Sequence, residues 1–534
     1  MAWQNFLTRV DNYDDLAAQV DFEAMEIPER FNIASAILDD RDLTQRAITE
    51  VYADRTHRDF TYGDLLEQTH RLANALRERG IGEGDVVMVI NPQSFHTATV
   101  FLAAWRMGAI VLPVSTLFGP QALDYRFENS GAKAVITFAA HADAVREGIG
   151  ERDVRLLVIG GSGEESFEDA VANASPDFTP VDTRAEDPAF LVYTSGTTGH
   201  PKGALHAHRQ VFGQMPLIET CYDFLPHDGD VFWSPADWAW IAGIMCIMCP
   251  GLLYGVPLVV DRADGFDPAR SAWLMREFGV TISLLPATAL RGFRASGVPG
   301  GDFSMRVMMS GGEPLGAELR EWAQGYFGGD INDAWGQTEM NGFVLHSSRV
   351  YPTKPGAGGR PGPGNTVAVV DDDFNPVIGQ VGQVVARRTP LVMLKYWKNP
   401  EATAAKFRDG WLLSGDLGLM DADGYVWFKM RNDDVINASG YRIGPTEIED
   451  CLCAHPAVAL AGVIGVPDER RGQAPKAFVV PRPGVEGTAE LADELRMHVR
   501  TKLAAHEVPR EIVFVDDLPR TATGKILRRE LRDH

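Results

Sequence analysis

The chain has 534 residues, more than a single hydrophobic core usually accommodates, so several sub-domains are expected. Its 50 basic and 73 acidic side chains leave a formal charge of −23, which argues against a general binder of nucleic acid or anionic membranes. Any anionic ligand must be met by local positive charge. Five cysteines, Cys221, Cys246, Cys249, Cys451 and Cys453, are few and odd in number, and fit reduced thiols in a cytoplasmic protein better than a disulfide frame.

The first residues, Met1-Ala2-Trp3-Gln4-Asn5, show neither a basic region nor an apolar run of the secretory kind. Continuous apolar runs predict strands at 86–90, 109–113, 134–137 and 156–159, with a helix over 97–107; this alternation implies βα units on a parallel sheet. Gly160-Gly161-Ser162-Gly163 reads as a loop, and Ala189-Phe190-Leu191-Val192 as a further strand. Residues 238–260 carry no charge, yet they are interrupted by Pro250-Gly251 and by Gly255 and Pro257, with Asp237, Asp261 and Asp264 nearby. A buried helix followed by a buried strand explains this stretch better than stable membrane insertion. From about Pro355 the texture turns glycine- and proline-rich, with short β runs at 367–370 and 381–385, predicting a β-rich sub-domain over about 355–430. After Arg431 come a strand at 434–437, a helix opening at 445–450 and a strand at 477–480. The expected fold is therefore α/β: a large N-terminal domain of layered α/β sub-domains plus a β-rich one (1–430), and a small, mobile α+β C-terminal domain (431–534).

The strand at 189–192 leads into Tyr193-Thr194-Ser195-Gly196-Thr197-Thr198-Gly199-His200-Pro201-Lys202-Gly203. Two glycines free the backbone to turn N–H groups toward an anion, the hydroxyls add donors, and Lys202 supplies a point charge, a composition that suits polyphosphate. The Walker spacing is absent, so the ordinary P-loop reading is disfavoured. Further clusters follow in order: Ser310-Gly311-Gly312-Glu313-Pro314, Asp333-Ala334-Trp335-Gly336-Gln337-Thr338-Glu339, Ser414-Gly415-Asp416-Leu417-Gly418, 431–443 and 519–526.

These clusters, in this order, resemble the signatures of the adenylate-forming superfamily, and in texture its acetyl-CoA and medium-chain acyl-CoA synthetases, over nearly the whole chain. The resemblance implies ATP binding by Thr194, Ser195, Gly196, Thr197, Thr198, Gly199 and Lys202, with adenine held between Gly312, Glu313, Pro314 and Asp333, Ala334, Trp335, Gly336, Gln337. It implies phosphate and Mg²⁺ contacts at Thr338 and Glu339, and ribose contacts at Asp416 and Arg431; a hard cation and a carboxylate are chemically matched. Lys525 matches the catalytic lysine that joins the substrate carboxylate and the α-phosphate, two anions that otherwise repel. A hinge maps to Asp433, and coenzyme A contacts to Ser439, Gly440, Arg442 and Arg471.

Acetyl-specific relatives carry tryptophan where Gly336 stands and valine where Gly311 stands. With Trp240, Ile241, Ala242 and Met340 as apolar lining, the expected substrate is a medium-chain, branched or aromatic small-molecule carboxylic acid. The rival reading is a stand-alone ligase loading an acyl carrier protein, although the chain stops nine residues after Lys525 without a carrier domain. Acetylation of Lys525 by a lysine acetyltransferase would remove the charge that the first step needs. Oligomeric state leaves no trace in the sequence.

Overall fold

A computed structural model describes residues 3–194, 201–263, 265–313, 315–431, 434, 436–438, 441–468, 472–503, 507–520 and 526–532. For Glu164, Asn437, Ala438, Tyr441, Arg442, Glu447, Gly472 and Arg529 it describes the backbone alone. The chain divides into two compact units. Of the described residues, those in 3–194, 201–366 and 387–410 form one, and those in 367–386 and 411–532 form the other.

The first unit is built on two mostly parallel sheets. In one, Val86–Ile90 pairs in parallel with both Ile110–Pro113 and Ala134–Phe138, and Arg155–Ile159 extends the edge. The buried portions of these strands are apolar except for Thr137, whose hydroxyl donates to the Ile90 carbonyl at 2.9 Å, as suits a sheet covered on both faces. The expected helix is present as Phe95–Arg106, starting two residues early because the Ser94 side chain accepts the Thr97 N–H and so caps it. Its other edge is antiparallel: Pro188–Thr194 turns back on Lys202–Ala207, and Lys395–Tyr396 lies against the latter. The second sheet runs in parallel through Arg46–Val51, Leu258–Asp261, Phe232–Trp233, Ile282–Leu284, Val307–Gly311 and Asp330–Gln337, with antiparallel additions at both edges.

The uncharged stretch at 238–260 does form a buried helical segment and then a buried strand. Pro250, however, does not break the helix. A π-turn, Ile244–Met248, precedes it, and Pro250 sits in the first turn of Cys249–Tyr254, where its missing N–H costs nothing. No helix among the described residues is long and apolar enough to cross a membrane. The five cysteines are free. Cys221, Cys246 and Cys249 are fully buried, and burial pushes their thiols up, that of Cys246 to about 12, so they behave as small apolar side chains.

In the second unit, Val367–Val370, Val381–Arg387, Trp411–Met420 and Val426–Arg431 form an antiparallel β-rich layer. A further sheet pairs Val458–Asp468 with Gly472–Pro481, and Glu511–Phe514 adds in parallel. Helices Pro445–Cys453 and Ala489–Lys502 close it over a core containing Ile436, Ile448, Leu452, Val463, Val479, Leu495 and Val499. Strand and helix thus mix as the sequence predicts for this segment.

Candidate active site

Two of the sequence clusters become neighbours in the first unit. Val307–Gly311 and Asp330–Gln337 run in parallel with Ser310 opposite Asp333 and Gly311 opposite Ala334. Both clusters therefore lie at the carboxyl ends of adjacent strands, where open α/β sheets place their ligands. The Glu313 carboxylate accepts the Thr288 N–H and pairs with Arg291 at 3.0 Å, which fixes the turn after Val307–Gly311. Asp333 is paired with Arg320 at 2.6 Å, and burial outweighs that pairing to push its carboxyl up to about 6. Because the folded-state value exceeds the ordinary 3.8, the stability Asp333 contributes is full below about pH 3.8 and is lost as pH rises through about 6. Asp333→Asn is expected to flatten the urea midpoint against pH in that window; an unchanged slope overturns the assignment.

After Gln337 the chain turns through Thr338, Glu339 and Met340 into Asn341–Leu345, which pairs back on Asp330–Gln337. The Trp335 ring lies tilted against Phe343, centroids 5.3 Å apart, so its orientation is set by the hairpin partner. A side chain at Gly336 would drive its Cβ into the Asn341 carbonyl, and one at Gly311 would place its Cβ 2.8 Å from the Ala334 carbonyl oxygen. Neighbouring backbone fills the Cβ positions, and Gly336→Trp would disrupt the hairpin as well as filling a pocket.

The residues expected to line an acyl pocket lie in two segments. Trp240 directly precedes the helical turn Ile241–Gly243 and meets Phe118 edge-on at 6.4 Å, while Met340 is fully buried in the hairpin turn. Cys246 Sγ, in the π-turn that follows Ile241 and Ala242, approaches Asn341 Oδ1 at 3.9 Å and ties the two segments together.

The hydroxyl- and glycine-rich loop connects two antiparallel strands, with Thr194 opposite Lys202. Anion binding there would rest on loop N–H groups, hydroxyls and Lys202 rather than on a helix N-terminus. Its flanks are braced: Tyr193 Oη donates to Asn129 Oδ1 at 2.6 Å, and Tyr125 Oη donates to the Pro201 carbonyl at 2.9 Å.

A residue that the sequence reading missed stands between Lys202 and the hairpin turn. Tyr396 pairs opposite Ala204 in the strand that begins with Lys202. Its hydroxyl donates to Glu339 Oε1 at 2.5 Å, and Lys202 Nζ lies 5.6 Å from its ring centroid. Glu339 is largely buried, the Met393 N–H donates to its carbonyl at 2.8 Å, and Lys406 Nζ donates to Gln337 Oε1 at 3.1 Å. Tyr396 follows an irregular segment with no pattern of its own, so only strand pairing reveals it.

In the second unit, Asp416 and Arg431 are direct cross-strand partners, joined Nη1 to Oδ1 at 2.9 Å. The Asp416 N–H donates to Ser414 Oγ, and that hydroxyl donates to the Val384 carbonyl at 2.6 Å. Ser195, Gly196, Thr197, Thr198, Gly199, Pro314, Asp433, Ser439, Gly440, Arg471 and Lys525 lie outside the described residues, as does the Arg442 side chain.

Comparison with known proteins gives the class. A family model described as "AMP-binding enzyme" matches residues 40–397, and "AMP-binding enzyme C-terminal domain" matches 447–525. The chain is 35% identical over 487 residues to an acetyl-coenzyme A synthetase of Bacillus subtilis, covering 89% of this chain and 84% of that one. Among solved structures it resembles an acyl-CoA synthetase of Brucella canis, with 35% identity, TM-score 0.76 and coverage of 98% and 99%. It also resembles a benzoate CoA ligase of Burkholderia xenovorans, with 29% identity, TM-score 0.84 and coverage of 94% and 100%. The chain belongs to the AMP-binding enzyme family of the adenylate-forming superfamily. It is an enzyme of the acyl-CoA synthetase class, an AMP-forming acid–thiol ligase with the superfamily's mixed α/β fold.

Proposed function

We propose that this enzyme joins a carboxylic acid larger than acetate to the α-phosphate of ATP, releasing pyrophosphate, and then passes the acyl group to coenzyme A, releasing AMP. The observation that carries this reading is the convergence of Glu339, Tyr396 and Lys202 beside two parallel strands whose carboxyl ends hold the adenine-type clusters. In this reading Lys202 and the loop residues Thr194 to Gly199 hold the polyphosphate, and Trp335 with its neighbours covers the base. Asp416 and Arg431, already oriented by their cross-strand pairing, receive the ribose.

The acceptor chemistry suits Mg²⁺ carried by ATP. One oxygen of the buried Glu339 carboxylate is engaged by Tyr396, and the other has no hydrogen-bond partner among the described residues. No group of three or more metal-ligating side chains occurs among those residues, and Mg²⁺ is commonly held by one carboxylate together with substrate phosphates. When bound, the ion neutralises phosphate charge. Thr338, in the same turn, makes a phosphate contact in this proposal.

In the same proposal Lys525 supplies the cation where carboxylate and α-phosphate meet, and no covalent enzyme intermediate forms. Rotation of 431–534 about Asp433 then presents Ser439, Gly440, Arg442 and Arg471 to coenzyme A, so that one small domain serves both half-reactions and excludes water between them. The domain boundary at 430 belongs to this reading. Coenzyme A is preferred to a carrier protein as acceptor because the relatives that match over most of the chain are acyl-CoA synthetases.

The acid is proposed to be medium-chain, branched or aromatic, since Trp240, Ile241, Ala242 and Met340 are apolar and no indole stands at position 336. Each methylene the pocket buries adds roughly 0.8 kcal/mol, about fourfold in kcat/KM. A panel of acids from C2 to C10, with benzoate and branched acids, tests this by pyrophosphate release and thioester formation. The expected result is at least tenfold higher kcat/KM for a larger acid; acetate as best substrate overturns the pocket reading.

A further inference from the structure

We infer that Tyr396 is a positioning residue that couples the phosphate-loop lysine to the metal-binding carboxylate, so that polyphosphate and Mg²⁺ are held as one unit. The inference rests on the roles proposed above for Glu339 and Lys202.

Three contacts carry it. The Tyr396 hydroxyl donates to one oxygen of Glu339, at 2.5 Å, which directs the carboxylate and leaves Oε2 to accept a cation. The face of the same ring lies 5.6 Å from Lys202 Nζ, a cation–π distance that holds the ammonium at the end of the loop. The segment carrying Tyr396 is itself pinned on both sides. The Met393 N–H donates to the Glu339 carbonyl at 2.8 Å, and the Leu394 and Trp397 N–H groups donate to the Leu205 and Gly203 carbonyls, each at 2.7 Å. The Thr403 hydroxyl accepts the Tyr396 N–H at 3.0 Å.

Tyr396 is 6% exposed, so the ring has little room to adopt another rotamer. A partner behind a metal-ligating carboxylate typically changes metal affinity tenfold or more when removed. Here the hydroxyl and the ring perform separable tasks: the hydroxyl orients the metal ligand, and the ring holds the lysine.

Two variants separate the tasks. Tyr396→Phe keeps the ring, and Tyr396→Leu removes both. The probe is Mn²⁺ with ATP and no acid, titrated by electron paramagnetic resonance of free Mn²⁺, so that no turnover is needed. Tyr396→Phe is expected to weaken Mn²⁺ binding about tenfold with ATP affinity in the absence of metal unchanged. Tyr396→Leu is expected to lower the metal-free ATP affinity a further two- to fivefold. Glu339→Gln serves as the reference for full loss of the ligand, and circular dichroism checks that each variant is folded. Mn²⁺ affinity equal to wild type in folded Tyr396→Phe overturns the inference. Wild-type enzyme that shows no acid-dependent exchange of pyrophosphate into ATP would instead overturn the function proposed for the whole site, whatever Tyr396 does.

Discussion

Lys525→Ala is expected to slow acyl-adenylate formation by about two to three orders of magnitude, the cost of removing one preorganised donor of transition-state charge. The physical reason is the repulsion between the substrate carboxylate and the α-phosphate, which in a partly dehydrated site amounts to several kcal/mol when no cation stands between them. The net charge of −23 means that no general positive field relieves it, so the relief has to be local. Thioester formation from supplied acyl-adenylate and coenzyme A is expected to stay within a fewfold of wild type, because the second step breaks a bond already activated by AMP. Acid-dependent pyrophosphate exchange reads the first step, and thiol consumption reads the second. An equal loss in both assays would contradict the division of labour between the two half-reactions.

The largest effect on stability is expected at Arg528. Its guanidinium binds Glu449 in a fork, Nε to Oε1 at 3.0 Å and Nη2 to Oε2 at 2.6 Å, and reaches Asp434 Oδ2 at 2.9 Å. Glu449 Oε1 also accepts the Val463 N–H at 2.8 Å, so the network joins the tail helix Arg528–Leu531, the helix Pro445–Cys453 and the strand Val458–Asp468. Burial alone would disfavour the charge on Arg528, yet the two carboxylates hold its pKa above the ordinary value. Arg528→Ala leaves Glu449 buried without its cation and Asp434 with Arg532 alone, at 3.7 Å, a loss of about 3–5 kcal/mol for breaking one side of such a network. Arg528→Lys restores charge without the fork and is expected to recover only part of it. Urea unfolding followed by tryptophan fluorescence measures the change. An Arg528→Ala midpoint equal to wild type would show that the tail is held by packing of Leu518 and Leu531 in their apolar cluster instead.

The ordering of the clusters along the chain was sufficient to identify the superfamily and the mixed fold, because each cluster is a run of residue types whose backbone and charge requirements are local. Apolar runs such as Val86–Ile90 and Pro188–Thr194 were legible for the same reason: a strand buried on both faces is written as a continuous apolar word. The pairing of Asp416 with Arg431, fifteen residues apart, follows from a hairpin register that no local pattern specifies. Pro250 illustrates the opposite failure, since proline is a helix breaker by its own chemistry and only the preceding π-turn gives it a harmless position.

The sequence by itself determined which chemical groups this protein owns: the glycine- and hydroxyl-rich loop with Lys202, the acidic turn ending at Glu339, and the basic tail containing Lys525. Only the tertiary structure decided which of them meet. It set Tyr396 between Glu339 and Lys202, and it showed that Gly311 and Gly336 answer to the backbone of neighbouring strands as much as to a substrate. The reason is that residue type is fixed position by position, whereas contacts across 57 or more residues depend on sheet order and register, which arise from the packing of the whole core.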